Sequence, residues 1–378
     1  MSTPLTIKHH FRKVKDPRIN RHKRHALLDI IVVALCAVLC GAKDWQQIEA
    51  FGKQRLSWFR RFLLLANGIP SHDTFERVFD RIDPRAFHQG FQSWMAALLE
   101  TLDIKHVAID GKTLRGSSRG KLGALHVVSA FATAYGLSLG QVATSAKSNE
   151  ITAIPELLEL LQLHGAVVSI DAMGCQKAIA SKILERGGDY VLMVKDNQPT
   201  LCEDIRQALS RTLEAGGHEL PQQHYSTQDR GHGRVEKRHY TILTDLEGIR
   251  QQEDWKGLRV VGMCVRERQV GQQEPSIEVS FFIGSKAMSV KRYAQVLRHH
   301  WSIENNLHWQ LDVTFAEDKS RVSKRHAAEN LALLRRLALT MLKRHPSKLS
   351  MAGKQWNAAL NPQFLEEVLA ANANSGGF

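Results

Sequence analysis

Cysteine is scarce in this chain of 378 residues. Its five cysteines, Cys36, Cys40, Cys175, Cys202 and Cys264, form no Cys-x-x-Cys pair and are odd in number. That excludes a disulfide framework and a zinc ribbon, and it fits a reducing compartment. Cys36 and Cys40 sit one helical turn apart in an apolar run and are expected to pack in a core. A membrane-spanning run is also missing. ALLDIIVVALCAVLCGA, Ala26 to Ala42, is short for a bilayer span. It contains Asp29 and lacks a signal cleavage site. A buried helix ending at Gly41 accounts for it, so no membrane role is expected. Internal repeats and low-complexity tracts are absent too.

Positive charge is what the chain has in excess. Net charge is +13 with His neutral, and the pI is about 9.6. Lys8 to His25 holds eight Lys/Arg and four His against one Asp. Lys319 to His345 holds eight Lys/Arg against Glu329 alone. Two such blocks favour a polyanionic partner, nucleic acid first. A basic enzyme with no such partner is the bland alternative. The apolar and charged fractions, 43% and 24%, are those of a folded soluble protein. The length allows two or three domains.

The first hundred residues read as helical. Helices are expected over Leu27–Cys40, Trp45–Phe51 and Arg55–Leu65. The turn NGIP then leads into SHDTFERVFDRID, with Ser71 as N-cap. A short turn before a polar-tipped helix suggests a helix-turn-helix, with Ser71, His72, Thr74 and Arg77 as DNA contacts. An ordinary helical bundle fits these residues as well. The pattern changes at His106. HVAIDG is an apolar strand ending in a carboxylate, and LHVVSAFAT and LSLGQVAT form a hairpin about Ala134-Tyr135-Gly136. A helix over Ile154–Leu163, the strand AVVSIDAMG, a helix over Gln176–Arg186 and the strand DYVLMVKDNQP come next. Together they predict a mixed sheet covered by helices. Gln222 to Gly284 reads as a β-rich insertion, with a hairpin at Gly231-His232-Gly233. Helices return near Val290 and continue through Leu331–Lys343.

Three acidic residues stand out. Asp110 and Asp171 each end an apolar strand, where ligands gather in open α/β sheets. In RHHWSIENNLHWQLD, Arg298 to Asp312, an α-helix places Val296, Leu297, Trp301, Ile303, Leu307 and Leu311 within an arc of roughly 160°. Glu304 points to the middle of that arc, with His300 and His308 one turn either side. An inward carboxylate is costly unless a cation meets it. Two strand-end Asps beside it would complete an oxygen-rich site suited to Mg²⁺ or Mn²⁺. Two such ions hold the attacking and leaving oxygens of an in-line phosphoryl displacement. The bland reading makes both Asps turn starters. Zinc on His300, Glu304 and His308 is the rival, but the spacing is not His-Glu-x-x-His.

Long stretches carry a resemblance. HKRHALLDIIVVALCAVLCGAKDWQQIEAFG, NGIPSHDTFERVF, VAIDGKTLRGS, KSNEITAIPELL, IDAMGCQKAIA, GGDYVLMVKDNQ, GHGRVEKRHY, HHWSIENNLHWQLDVTFAEDKSR and ENLALLRRLALTMLK occur in this order. With them the chain resembles bacterial insertion-sequence transposases of the DDE type, in particular the H-repeat-associated group. The resemblance implies an α/β fold: an RNase H-like mixed sheet flanked by helices, with a β-rich insertion and an N-terminal helical domain. The implied division is 1–100 helical and DNA-binding, 101–200 the first part of the catalytic domain, 201–286 the insertion, 287–345 catalytic helices including Glu304, and 346–378 a tail. Asp110, Asp171 and Glu304 match the family's three acidic residues, catalytic and metal-binding. Lys195-Asp196-Asn197-Gln198 and Arg325-His326-Ala327-Ala328 depart from the family pattern, but neither removes a metal ligand.

The implied activity is strand cleavage at transposon ends, dependent on two Mg²⁺ ions with Mn²⁺ as substitute, then strand transfer into target DNA. It would take place in the bacterial cytoplasm, in a homodimer or larger assembly on DNA. Lys112, Arg115, Lys195 and Asn197 are candidate phosphate contacts. His300 and His308 could orient Glu304 or meet DNA. Arg335 and Arg336 sit on a basic helix that could track a backbone, and Trp255 could stack on a flipped base. Each has a bland counterpart: exposed loop charge, a packed helix His, a solvated helix face, core packing. The competing functions are another RNase H-like metal-dependent DNA nuclease and an inactive DNA-binding relic.

Overall fold

Local sequence sets the elements. The run Leu27–Leu39 forms α2, and all but one of its residues are buried. Its acid, Asp29, is buried and meets the Lys8 ammonium at 2.8 Å. Gly41, just past the helix end, has φ +92, a conformation that costs glycine little. The computed structural model describes residues 3–19, 23–99, 102–118, 123–144, 150–214, 223–231 and 233–372. The tip of the expected hairpin at His232 lies outside them. Among the described residues no helix is long and apolar enough to cross a membrane.

The N-terminal helices are α1 (Thr3–Phe11), α2, α3 (Trp45–Gln54), α4 (Leu56–Phe59), α5 (His72–Arg81) and α6 (Pro84–Leu99). The helix expected over Arg55–Leu65 is only the single turn α4, and Leu65 takes a positive φ of 36°. Nine strands come next among the described residues. They are β1 (His106–Leu114), β2 (Leu125–Ala132), β3 (Leu137–Thr144), β4 (Val167–Ile170), β5 (Asp189–Val194), β6 (His224–Gly231), β7 (Arg234–Leu243), β8 (Val260–Val270) and β9 (Ser276–Gly284). Between them lie α7 (Glu150–Glu159), α8 (Lys177–Glu185) and α9 (Pro199–Glu214). The remaining helices are α10 (Val290–His300), α11 (Trp309–Val313), α12 (Arg325–Arg344), α13 (Met351–Leu360) and α14 (Pro362–Ala370).

The strands form one mixed sheet in the order β3-β2-β1-β4-β5-β9-β8-β7-β6. Strands β2 and β3 are an antiparallel hairpin, and β4 is parallel to both β1 and β5. This is the mixed sheet that the sequence pattern predicted, in the RNase H-like arrangement that the resemblance implied. The β-rich insertion continues the sheet. Its last strand, β9, pairs antiparallel with β5, Leu192 opposite Ile283, and β8, β7 and β6 extend outward from it.

The chain divides into two compact units: Met1–Asp103, Gly111–Asn149 and Glu304–Phe378 form one, Ile104–Asp110 and Glu150–Ile303 the other. In the first, α12 is the central helix, packed on α2, α5, α6 and β3. Asn330 donates to the carbonyls of Phe79 and Ile82 at 2.8 and 3.1 Å and so closes the end of α5. Residues 346–378, expected as a tail, contain α13 and α14. Buried Lys354 on α13 donates to the carbonyls of Leu342 and His345, both at 2.8 Å, satisfying the C-terminal end of α12. In the second unit, Val167, Val191, Tyr240, Val260, Phe282, Tyr293 and Val296 form the core between sheet and α10.

Candidate active site

Two carboxylates come together where β1 and β4 run side by side. Ile109 is paired with Ile170 in the parallel register, so Asp110 stands beside Asp171, the first residue after β4; Asp110 does not end its strand as expected, because β1 runs on to Leu114. Neighbouring strands lie about 4.8 Å apart. The runs before them, His106–Ile109 and Val167–Ile170, are buried throughout, and both Asps are half-buried at the rim. The Asp171 carboxylate accepts from the backbone N–H groups of Met173 and Gly174, at 3.1 and 3.4 Å, and so opens a 3₁₀ turn. Burial first, then the charge of Asp110, hold its carboxyl above the usual carboxylate range. Buried Glu150 pushes the same way, and the two N–H groups oppose.

Beneath the rim lies a polar chain that sequence reasoning missed. His106 Nε2 meets Ser169 Oγ at 2.8 Å, and Ser169 Oγ meets His300 Nδ1 at 2.9 Å. All three residues are buried. Burial holds His106 down to about 3, helped by the His300, His299 and Arg292 charges. Burial also lowers His300, against the pull of Asp110. Both rings are therefore neutral at pH 7. The available signal was parity: His106 and Asp110 share one face of β1, as Ser169 and Asp171 do at the end of β4. His300 is thus a buried support and not a DNA contact. His308, at 4% exposure, is buried as well.

Glu304 departs from the helical wheel. It opens a π-helical segment, Glu304–His308, between α10 and α11. A π turn admits an extra residue and rotates the helix beyond it. Ile303, Leu307 and Leu311 are buried as expected, whereas Trp301, Glu304, Asn305 and Asn306 are exposed. The expected inward Glu304 is therefore corrected: the residue is exposed, on the unit that also carries residues 111–149. Asp110, Asp171 and His300 belong to the other unit. Among the described residues, no group of three or more His, Cys, Asp and Glu side chains is disposed to hold a metal ion.

The secondary candidates divide by burial. Arg335 and Arg336, expected on a DNA-tracking face, are 3% and 0% exposed. Arg336 pairs with Glu317 at 3.0 Å, and Arg335 donates to the Lys43 carbonyl at 3.1 Å. They hold the core of the first unit, because α12 is buried on all sides from Asn330 to Leu342. Trp255 is likewise buried and is no stacking platform. Lys112 is buried and pairs with Asp312 and Asp318 at 2.8 and 2.7 Å. Arg115, Lys195 and Asn197 are exposed. Asn197 Nδ2 donates to the Ala172 carbonyl at 2.7 Å and braces the turn after Asp171. Ser71 holds the N-cap position of α5, but its hydroxyl meets Thr74 Oγ1 at 3.1 Å. His72 is held by Glu49 at 2.8 Å, and Arg77 is exposed.

Residues 101–341 match the family described as Transposase DDE domain, and residues 8–95 match the one described as DDE_Tnp_1-associated. The chain belongs to the DDE transposase family. It is 41% identical over 369 residues to "Putative transposase YncI" of Escherichia coli O157:H7, covering 96% of this chain and 94% of that protein. It is 38% identical over 376 residues to "H repeat-associated putative transposase YhhI" of Escherichia coli (strain K12), covering 97% and 98%. Among solved structures, a piggyBac transposase synaptic complex with hairpin DNA aligns with a TM-score of 0.42 and 9% identity, over 100% of this chain and 83% of that one. In this chain Asp110 lies within β1 and Asp171 directly follows β4, its parallel neighbour.

Proposed function

We propose that this DDE family member binds the ends of a mobile element, cuts one strand at each, and joins the freed 3′-OH to target DNA. The observation that carries the reading is the pairing of Asp110 with Asp171, in which each charge opposes the other. Two carboxylates so close call for a cation. Their donors are carboxylate oxygens, which suits Mg²⁺ or Mn²⁺. Asp110 and Asp171 would hold the ions, and Glu304 is the third acid by its match to the family pattern. When bound, the ions supply Lewis acidity at the attacking and leaving oxygens of an in-line displacement.

The chain's own residues do the positioning. The N–H groups of Met173 and Gly174 orient Asp171. Asn197 braces the same turn. The neutral His106–Ser169–His300 chain ties β1 to β4 and α10 without adding positive charge that would compete for the carboxylates. Exposed Arg115 and Lys195 offer charge to phosphates. Catalysis of this kind rests on placement and charge neutralisation, with no covalent protein intermediate. Joining two ends calls for a homodimer or larger assembly on DNA.

The test uses duplexes carrying the inverted repeats that flank the gene. Asp110→Asn should abolish Mg²⁺-dependent nicking while leaving affinity for the same duplex in place. Undiminished cleavage by that variant would overturn the assignment. Cutting without joining would instead mark a metal-dependent nuclease.

A further inference from the structure

Two stretches far apart in sequence are locked together by charge. Lys112 is 9% exposed. Its ammonium lies 2.7 Å from Asp318, 2.8 Å from Asp312 and 3.9 Å from Glu317. Glu317 is itself buried and also holds Arg336 at 3.0 Å. The backbone N–H of Arg115 donates to Asp318 at 3.4 Å. The main chains also touch. A Cβ on Gly116 would stand 2.1 Å from the Ser320 carbonyl oxygen and 2.7 Å from that of Asp318. Only glycine permits that approach.

Both partners of this clamp lie close along the chain to acids of the proposed site. Lys112 is two residues beyond Asp110 and on the same face of β1. Asp312 lies eight residues beyond Glu304, in the helical stretch that Glu304 opens. We propose that Lys112 is a positioning residue, an ionic latch that fixes the helix beginning at Glu304 relative to the end of the strand carrying Asp110. The inference rests on the catalytic reading of those acids. A phosphate contact, the expectation from sequence, does not fit. Three carboxylates already surround one ammonium, so the local field repels a phosphate. Because Lys112 is nearly out of water, its loss would leave carboxylates facing one another without a counter-charge, and the segment carrying them would shift.

The experiment uses the full chain with Lys112→Met, Lys112→Arg, Asp312→Asn and the double variant Lys112→Met/Asp312→Asn. Asp110→Asn is run alongside. Cleavage of terminal-repeat duplexes is followed as kcat and KM, DNA affinity is measured without metal, and backbone hydrogen exchange is mapped over 304–320. Lys112→Met should lower kcat by about 100-fold, the scale of a displacement near 1 Å at a reacting centre. KM and DNA affinity should stay unchanged. Exchange over 304–320 should rise while α12 stays protected. Lys112→Arg should recover most of the rate, and Asp312→Asn should add nothing in the Lys112→Met background. Wild-type kcat and exchange in Lys112→Met would overturn the latch, as would a loss confined to DNA affinity. If Lys112→Met fails to unfold cooperatively, Asp312→Asn alone must lower kcat and loosen 304–320, and its failure to do so sinks the latch. Cleavage surviving in Asp110→Asn overturns the catalytic reading instead, and the exchange data then judge the latch alone.

Discussion

His88 shows burial deciding the chemistry of one side chain. It lies on α6, and its Nε2 accepts the Gln141 N–H at 3.3 Å, which requires an unprotonated nitrogen. Burial holds the ring down to about 4. Below the ordinary 6.5 the unfolded chain takes up a proton that the folded chain refuses. The stabilisation is therefore complete above pH 6.5 and lost as pH falls from about 6.5 towards about 4. The ring's C–H resonances should stay unshifted by NMR until pH nears 4. His88→Gln should flatten the fall of the denaturation midpoint over that window, and an equally steep fall in the variant would count against this account. The same force explains which single residues sequence could locate. Asp110 and Asp171 were visible because each interrupts an apolar run. Lys112, Arg335 and Arg336 looked like phosphate contacts because charge in sequence carries no mark of burial. Their carboxylate and carbonyl partners lie up to 292 residues away.

At the scale of elements, periodicity read well where a segment is regular. The α2 run, the β2–β3 hairpin and the strands β1, β4 and β5 were all legible, because alternation or continuous apolarity maps directly onto burial. The segment around Glu304 was not, because a π turn breaks the 3.6-residue period on which the wheel depends. The insertion read as β-rich, but its attachment to β5 is a long-range pairing that no local pattern encodes. Gly116 marks a contact between elements. Gly116→Ala would drive a methyl into the Ser320 carbonyl, with a cost of about 1–3 kcal/mol for overpacking. A denaturation midpoint below wild type is expected, and an unchanged midpoint would deny that the backbones meet there.

For the whole molecule, the net charge of +13 is the property that an anion would meet first. Internal roles reduce the basic patches. On α12, Arg335 and Arg336 are buried, and Lys343 donates to the carbonyls of Gly136 and Asn306. In the N-terminal block, Lys8 serves Asp29, and Arg18 and Lys23 serve Asp16, while Arg12, Lys13 and Lys15 remain exposed. DNA affinity should still fall steeply with salt, by ~10³-fold between roughly 50 and 200 mM for a footprint of about six phosphates. Titrations in that range check it, and a flat response would exclude a phosphate-dominated interface. Sequence by itself determined the family, the alternation of strands and helices, the two Asps that interrupt apolar runs and the sign of the field, since each is written in neighbouring residues or in their sum. Tertiary structure alone decided which cations face solvent, which histidines are neutral, and that Lys112 is held between Asp312 and Asp318. Those outcomes depend on desolvation and on partners brought close only by folding.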